Sequence, residues 1–274
     1  ETITKNNEIK IQLNISEITL IIVTHAILST DINFKILGLS MIAEEQIFGV
    51  EQQEKLKKNQ PNVHILTMSA TPIPRTLQSS LFKLRDISLI KTPPINRLNI
   101  KTFLIFFDDG NLKKIIEKEL SRNGQIFYVT PRIQDIEEIE KKIKKIIPNL
   151  RYYVIHSRLN NTEIEKVYKN FFDKKIDLLL STAMMESGLD ISNVNTILIN
   201  KPYMFGLYQL YQLRGRVGRS SIQAYAYLLL DKKIKLNESR LNRLRLISKI
   251  NKLGAGFSIA ANDLDLRGAG NIIG

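Results

Sequence analysis

Short runs of β-branched and aliphatic residues alternate along this chain with longer stretches in which apolar side chains recur every three or four positions. That is the rhythm of βα units around a parallel sheet. In the amino-terminal block, ITLIIVT (Ile18 to Thr24), LGLSMIA (Leu37 to Ala43) and NVHILTMSA (Asn62 to Ala70) are predicted strands. Helical periodicity between them is too sparse to cover both faces of a sheet, so the block is expected to be an incomplete domain. The run TPPINRLNIKTF (Thr92 to Phe103) carries two prolines and no amphipathic period and is expected to connect two domains.

Beyond it the pattern becomes regular. GQIFYVT (Gly124 to Thr130), LRYYVIH (Leu150 to His156), IDLLLST (Ile176 to Thr182), NTILIN (Asn195 to Asn200) and AYAYLLL (Ala224 to Leu230) are predicted strands. Helices are predicted over Asp135 to Ile147, Glu163 to Phe172 and around Leu207 to Leu213, giving a nearly complete doubly wound α/β domain. A basic amphipathic helix is predicted from Asn237 to Leu253, followed by a Gly-rich end. The expected division is therefore a partial first domain over 1–92, a connection over 93–104, a second domain over 105–232 and a helical module over 233–274.

Composition changes this picture in a few respects. A length of 274 residues suits one complete domain plus part of another, and 43% hydrophobic residues suffice for a core. Forty Lys and Arg against 27 Asp and Glu leave a net charge of +13, which suits a polyanionic partner such as nucleic acid. Abundant Lys, Asn and Ile throughout the chain offer the plainer explanation of a codon-biased genome. Lysine runs such as Lys141 to Lys145 read as solvated helix faces. With no cysteine, disulfides and thiolate metal sites are excluded. No run approaches the roughly 18 apolar residues of a membrane span, and the start does not resemble a signal peptide, so a cytoplasmic protein without a membrane partner is expected. Glu1 at the start and Gly274 in a Gly-rich run give both ends the look of cuts from something longer.

Chemistry concentrates in QLRGRVGRS, Gln212 to Ser220. Two glycines allow a tight turn, and Arg214, Arg216 and Arg219 offer several permanently charged planar forks within a few residues. Such a cluster suits a triphosphate whose charge spreads over the γ-phosphoryl oxygens in the transition state. A generic basic turn for an anion or a nucleic-acid backbone is the alternative.

QLRGRVGRS resembles motif VI of superfamily 2 helicases, in the form used by transcription-repair coupling factors and RecG-type branched-DNA helicases. Further motifs follow in family order. THAIL (Thr24 to Leu28) resembles motif Ib, which implies nucleic-acid contacts by Thr24 and His25. LTMSATPIPRTL (Leu66 to Leu77) resembles motif III, whose SAT core implies a coupling role for Ser69 and Thr71. FYVTPRI (Phe127 to Ile133) stands in the place of motif IV, with Thr130 toward nucleic acid. STAMMESGLDI (Ser181 to Ile191) resembles motif V, which implies that Thr182 touches the DNA backbone and that Gly188 and Asp190 lie at the nucleotide. Singly, SAT or GLD is weak; in order they are specific. LGAGFSIAANDLDLRGAGNIIG (Leu253 to Gly274) resembles the translocation motif shared by the two helicase types, and it implies that Arg267 couples ATP turnover to movement.

From the resemblance follow two RecA-like parallel-sheet domains, the first partial, and a helical translocation module after them. It also implies ATP and Mg²⁺ as cofactors and double-stranded DNA as partner. RNA polymerase and excision-repair proteins would bind through regions absent from this chain. Arg216 and Arg219 would act as catalytic residues, with Gln212 beside the nucleotide. AEEQIFGVEQQEKLK (Ala43 to Lys57) and the connecting run favour the coupling-factor type over the RecG type.

Two departures stand out. No phosphate-cradling GxxxxGK[ST] occurs among the 274 residues, and the resemblance places it upstream of Glu1. Where the family has DEEQ or DEEH, this chain has AEEQ at 43 to 46. Glu44 remains as the candidate base and Glu45 and Gln46 as nucleotide contacts, but the Ala43 methyl has no lone pair for Mg²⁺, so no metal ligand is assigned. The expectation is an ATP-dependent DNA translocase by family, inactive alone. A RecG-type fragment and a non-catalytic duplex-DNA binding module are the alternatives.

Overall fold

A computed structural model of the 274-residue chain describes residues 20–22, 37–43, 62–69, 86, 88, 90, 92, 98–182 and 193–249. The chain divides into two compact units, Glu1–Asp86 and Ile87–Gly274.

In the first unit, strands β1 (Leu39–Ala43) and β2 (His64–Met68) pair in parallel, with Leu39 opposite His64 and Ala43 opposite Met68. They lie inside two of the predicted strands. Residues 20–22, within the third, are irregular, and Leu20 and Ile22 are exposed. An apolar run becomes a strand only where a neighbour takes up its backbone hydrogen bonds, and the residues themselves do not record that neighbour.

The second unit is built on a six-stranded, wholly parallel sheet. Its strands are β3 (Lys101–Phe106), β4 (Gln125–Thr130), β5 (Tyr152–Ile155), β6 (Leu178–Thr182), β7 (Val194–Asn200) and β8 (Tyr225–Leu230). They lie in the order β3-β8-β7-β4-β6-β5. The helices are α1 (Asp109–Leu120), α2 (Ile136–Ile146), α3 (Asn161–Phe172), α4 (Leu207–Arg214) and α5 (Glu238–Lys249). Leu112 and Ile116 of α1 and Ile136, Ile139 and Ile143 of α2 cover one face, against Ile126, Tyr128, Leu178, Leu180 and Leu198. On the other, α3, α4 and α5 bury Val167, Phe171, Leu207, Leu210, Leu213, Leu244 and Ile247 against Phe127, Val129, Leu179, Ile197 and Ala226. Strands buried on both faces need apolar residues at nearly every position, which is why β4, β6 and β7 read as continuous runs. Burial of each such large side chain stabilises the domain by roughly 1.5–3 kcal/mol.

Local signals fix several ends. Asn160 caps α3 by accepting from the Glu163 amide at 2.8 Å, while the Glu163 carboxylate accepts from the Asn160 amide at 3.3 Å. This reciprocal capping satisfies two donors that the first turn would leave unpaired. Along α2, Lys141 and Lys142 donate to Glu137 and Glu138 at 2.6 and 2.7 Å, so these lysines do form a solvated face. α5 occupies the predicted basic helix as far as Lys249.

The expected connecting run is not irregular throughout. From Lys101 onward it is strand β3, which pairs with β8, and α1 follows as a helix that the periodic reading did not contain. KTFLIF pairs with one neighbour only, so its alternation is mixed, and the charged residues of α1 leave a narrow apolar stripe.

Candidate functional site

The β-strands of the second unit all run the same way, so their ends gather two sets of side chains at opposite edges of the sheet. At the carboxyl edge, Thr130 closes β4 and Thr182 closes β6, and they face one another in register. Both are buried, at 0% and 8% exposure. The Thr130 hydroxyl donates to Asp135 Oδ2 at 3.4 Å and accepts from Asn200 Nδ2 at 3.3 Å. Lys201 Nζ donates to Asp135 Oδ1 at 2.6 Å. Lys201 has φ of 47°, a left-handed backbone that a non-glycine residue adopts only at some cost. Parallel α/β sheets present ligands to this edge. Asp135, Asn200 and Lys201 were not singled out from the sequence, although a polar NKP run closing an apolar strand was the available signal.

The arginine-rich loop lies at the amino edge. α4 runs back along the sheet and ends at Arg214, and the Gly218 amide then donates to the Val194 carbonyl at the start of β7, at 3.4 Å. Gly218 has φ of +73°. A Cβ built on it would sit 2.9 Å from Ala224 Cβ and 3.2 Å from Ile100 Cγ1, so the turn closes only with glycine. Ser220 Oγ donates to Asn195 Oδ1 at 3.2 Å and secures the far side. Gln212 Nε2 donates to the Tyr208 hydroxyl one turn back in α4.

The three arginines are not equivalent. Arg219 is exposed and Arg216 half-buried, whereas Arg214 is only 3% exposed. Arg214 therefore does not project with the other two as the pattern suggested. Its guanidinium lies over the Tyr211 ring at 5.5 Å, and its Nη1 is buried without a hydrogen-bond partner. Burial pushes its pKa below the ordinary arginine value, with Tyr211 opposing, though an arginine stays charged.

The structure thus brings Thr130 and Thr182 together and sets Arg216 and Arg219 at the other end of the sheet. Ser69 follows β2 in the first unit. Thr24, His25, Glu44, Glu45, Gln46, Thr71, Gly188, Asp190 and Arg267 lie outside the described residues. The glycine-closed turn and its two outer arginines fit a polyphosphate by charge and by their planar donors. For Mg²⁺, Ala43, exposed at the end of β1, has no side-chain oxygen, and among the described residues no three His, Cys, Asp or Glu side chains are placed to hold a metal. No helix among them is long and apolar enough to cross a membrane.

This sheet, with an arginine loop at one edge and a polar strand-end cluster at the other, defines a RecA-like helicase domain. Residues 110–221 match the family described as helicase conserved C-terminal domain. The solved structure of RecG bound to a three-way DNA junction superposes with a TM-score of 0.71 at 33% identity, over 97% of this chain and 35% of that one. Dbp5 of S. cerevisiae bound to RNA and ADP BeF3 shares the fold at a TM-score of 0.55 and 15% identity, over 77% of this chain and 56% of that one.

The chain as a whole is similar in sequence to the bacterial transcription-repair-coupling factors. It is 46% identical to that of Rickettsia prowazekii over 98% of its length and 48% identical to that of Borreliella burgdorferi over 96%. The chain spans about a quarter of the length of these relatives, 24% and 23% respectively.

Proposed function

We propose that this chain is the part of an ATP-driven double-stranded DNA translocase in which the arginine loop faces the nucleotide and the strand-end threonines face the DNA. The observation that carries the reading is 46% identity to a transcription-repair-coupling factor over nearly the whole chain. The opposite placement of the two residue sets supports it, since a motor must meet fuel and track on separate surfaces. Arg216 and Arg219 stabilise the charge that develops on the transferred phosphoryl group, and Thr130 and Thr182 meet backbone phosphates. Glu45, Gln46, Gly188, Asp190 and Gln212 lie at the nucleotide, and Glu44 positions the attacking water. Thr24 and His25 hold the strand from the first domain, while Ser69, Thr71 and Arg267 transmit the stroke. The domain division follows that expected from the sequence, 1–92, 93–104, 105–232 and 233–274, except that Lys101 to Leu104 join the sheet of the second domain as part of β3. In the longer protein, which works in the cytoplasm, movement along duplex DNA displaces RNA polymerase stalled at a lesion and brings in excision-repair proteins.

This segment lacks the phosphate loop, and Ala43 stands where the magnesium-organising Asp belongs. Both favour an isolated chain that binds duplex DNA without turning over ATP. The test is phosphate release with and without duplex DNA, together with a salt series for binding. Turnover stays at background, and affinity falls steeply with salt because phosphate contacts release counterions. DNA-stimulated turnover abolished by Arg216→Ala, or salt-independent affinity, would refute this reading.

A further inference from the structure

The arginine loop is fastened at its exit to the run of chain that immediately precedes β3. Gln223 Nε2 donates to the Asn99 carbonyl at 2.7 Å and to the Ala224 carbonyl at 3.0 Å. Ile100, 2% exposed, packs against Gly218, and its Cγ1 would lie 3.2 Å from a Cβ built there. A second fastening comes from the turn that follows α1. Arg122 Nη1 donates to the Gln223 carbonyl at 2.9 Å, and its Nη2 pairs with Glu119, 1% exposed. Glu119 in turn accepts from the Thr196 hydroxyl at 2.5 Å, and the Arg122 guanidinium lies 5.1 Å from the centre of the Tyr225 ring. One rigid fork thus holds α1, the loop exit and β8 at a single point.

We propose that Gln223 and Arg122 are positioning residues for the arginine loop, and that Asn99 and Ile100 are where displacement of the connecting run is passed to it. Arg122 and Glu119 form the fixed side, anchored in the sheet through Thr196. The Gln223 amide and the Ile100 side chain form the side that meets the connecting run, because residues 98–100 immediately precede β3. A shift of that run changes the seat of Gly218, and with it the set of the arginines on either side. The inference rests on the reading that this loop faces the nucleotide; the holding of the loop does not.

The experiment uses Gln223→Met, which keeps the side chain's bulk and removes the donor, and Arg122→Lys, which keeps the charge and can make only one of the two bonds. In the 274-residue chain, amide hydrogen exchange at Arg216 to Ser220 is expected to quicken about five- to tenfold, the equivalent of one lost hydrogen bond. Exchange in β4, β6 and β7 stays as in the unaltered chain. No change at the loop, or a rise spread evenly over the sheet, overturns the proposal. In a motor completed with the upstream region and Ala43→Asp, the same variants are expected to lower kcat several-fold while leaving the KM for duplex DNA unchanged. Faster loop exchange with unaltered kcat would keep the fastening and sink the nucleotide-facing reading of the loop. A fall in kcat with equal loss of DNA affinity would overturn the positioning role.

Discussion

Gly218→Ala is the substitution whose cost the structure fixes most closely. At φ of +73° any residue with a Cβ is strained, by about 1–2 kcal/mol. The added methyl also arrives 2.9 Å from Ala224 Cβ and 3.2 Å from Ile100 Cγ1, and both neighbours are buried, at 0% and 2% exposure. Neither can swing away, so overpacking adds about 1–3 kcal/mol. The sum of roughly 2–5 kcal/mol is a large share of a domain's usual stability of about 5–15 kcal/mol. In a chain of this size it should lower the thermal midpoint by roughly 5 to 15 °C. Circular dichroism melts and urea midpoints read the effect. Gly110→Ala is the control: it lies in the first turn of α1, and its Cβ would meet Asp108 Oδ1 at an ordinary 3.4 Å. That variant should match the unaltered chain or exceed it slightly. A Gly218→Ala chain within about 0.5 kcal/mol of the unaltered one, the limit for an ordinary surface change, would refute the tight closure of the loop.

Lys201→Ala leaves the Asp135 carboxylate, 7% exposed, without its cation. The expected loss is about 1–3 kcal/mol, read from the urea midpoint, and Lys201→Arg should restore part of it. Arg214→Met removes a buried charge that has an aromatic face but no carboxylate partner, so stability should be unchanged or rise by about 1–4 kcal/mol. A loss beyond about 2 kcal/mol would mean that the stacking on Tyr211 outweighs the cost of burying the charge.

The sequence made the interior of the second domain plain, because β4, β6 and β7 are apolar on both faces. Strand β3 was hidden by its position at the sheet edge and by the prolines before it. The stripe of α1 is interrupted by Glu119, which is buried and would count as polar in any periodic reading. Strand order is a matter of long-range pairing and leaves no local mark. In the candidate site, the arginine loop was legible from its glycines and charge, and Thr130 and Thr182 from the motifs that contain them. The inward turn of Arg214 was not, since burial depends on how α4 lies on the sheet. Nor was the Asp135 to Lys201 pair, whose members are 66 residues apart.

Separate surfaces for fuel and track are the core of this account, and Arg216→Ala tests them most directly in a motor completed with the upstream phosphate-loop region and Ala43→Asp. DNA-stimulated phosphate release and duplex affinity are measured on the same preparation. Turnover is expected to fall by a factor on the order of 10³, as for arginine fingers supplied elsewhere, while the Kd for duplex DNA stays within about twofold. Equal loss of turnover and DNA affinity would contradict it, as would turnover that survives the substitution.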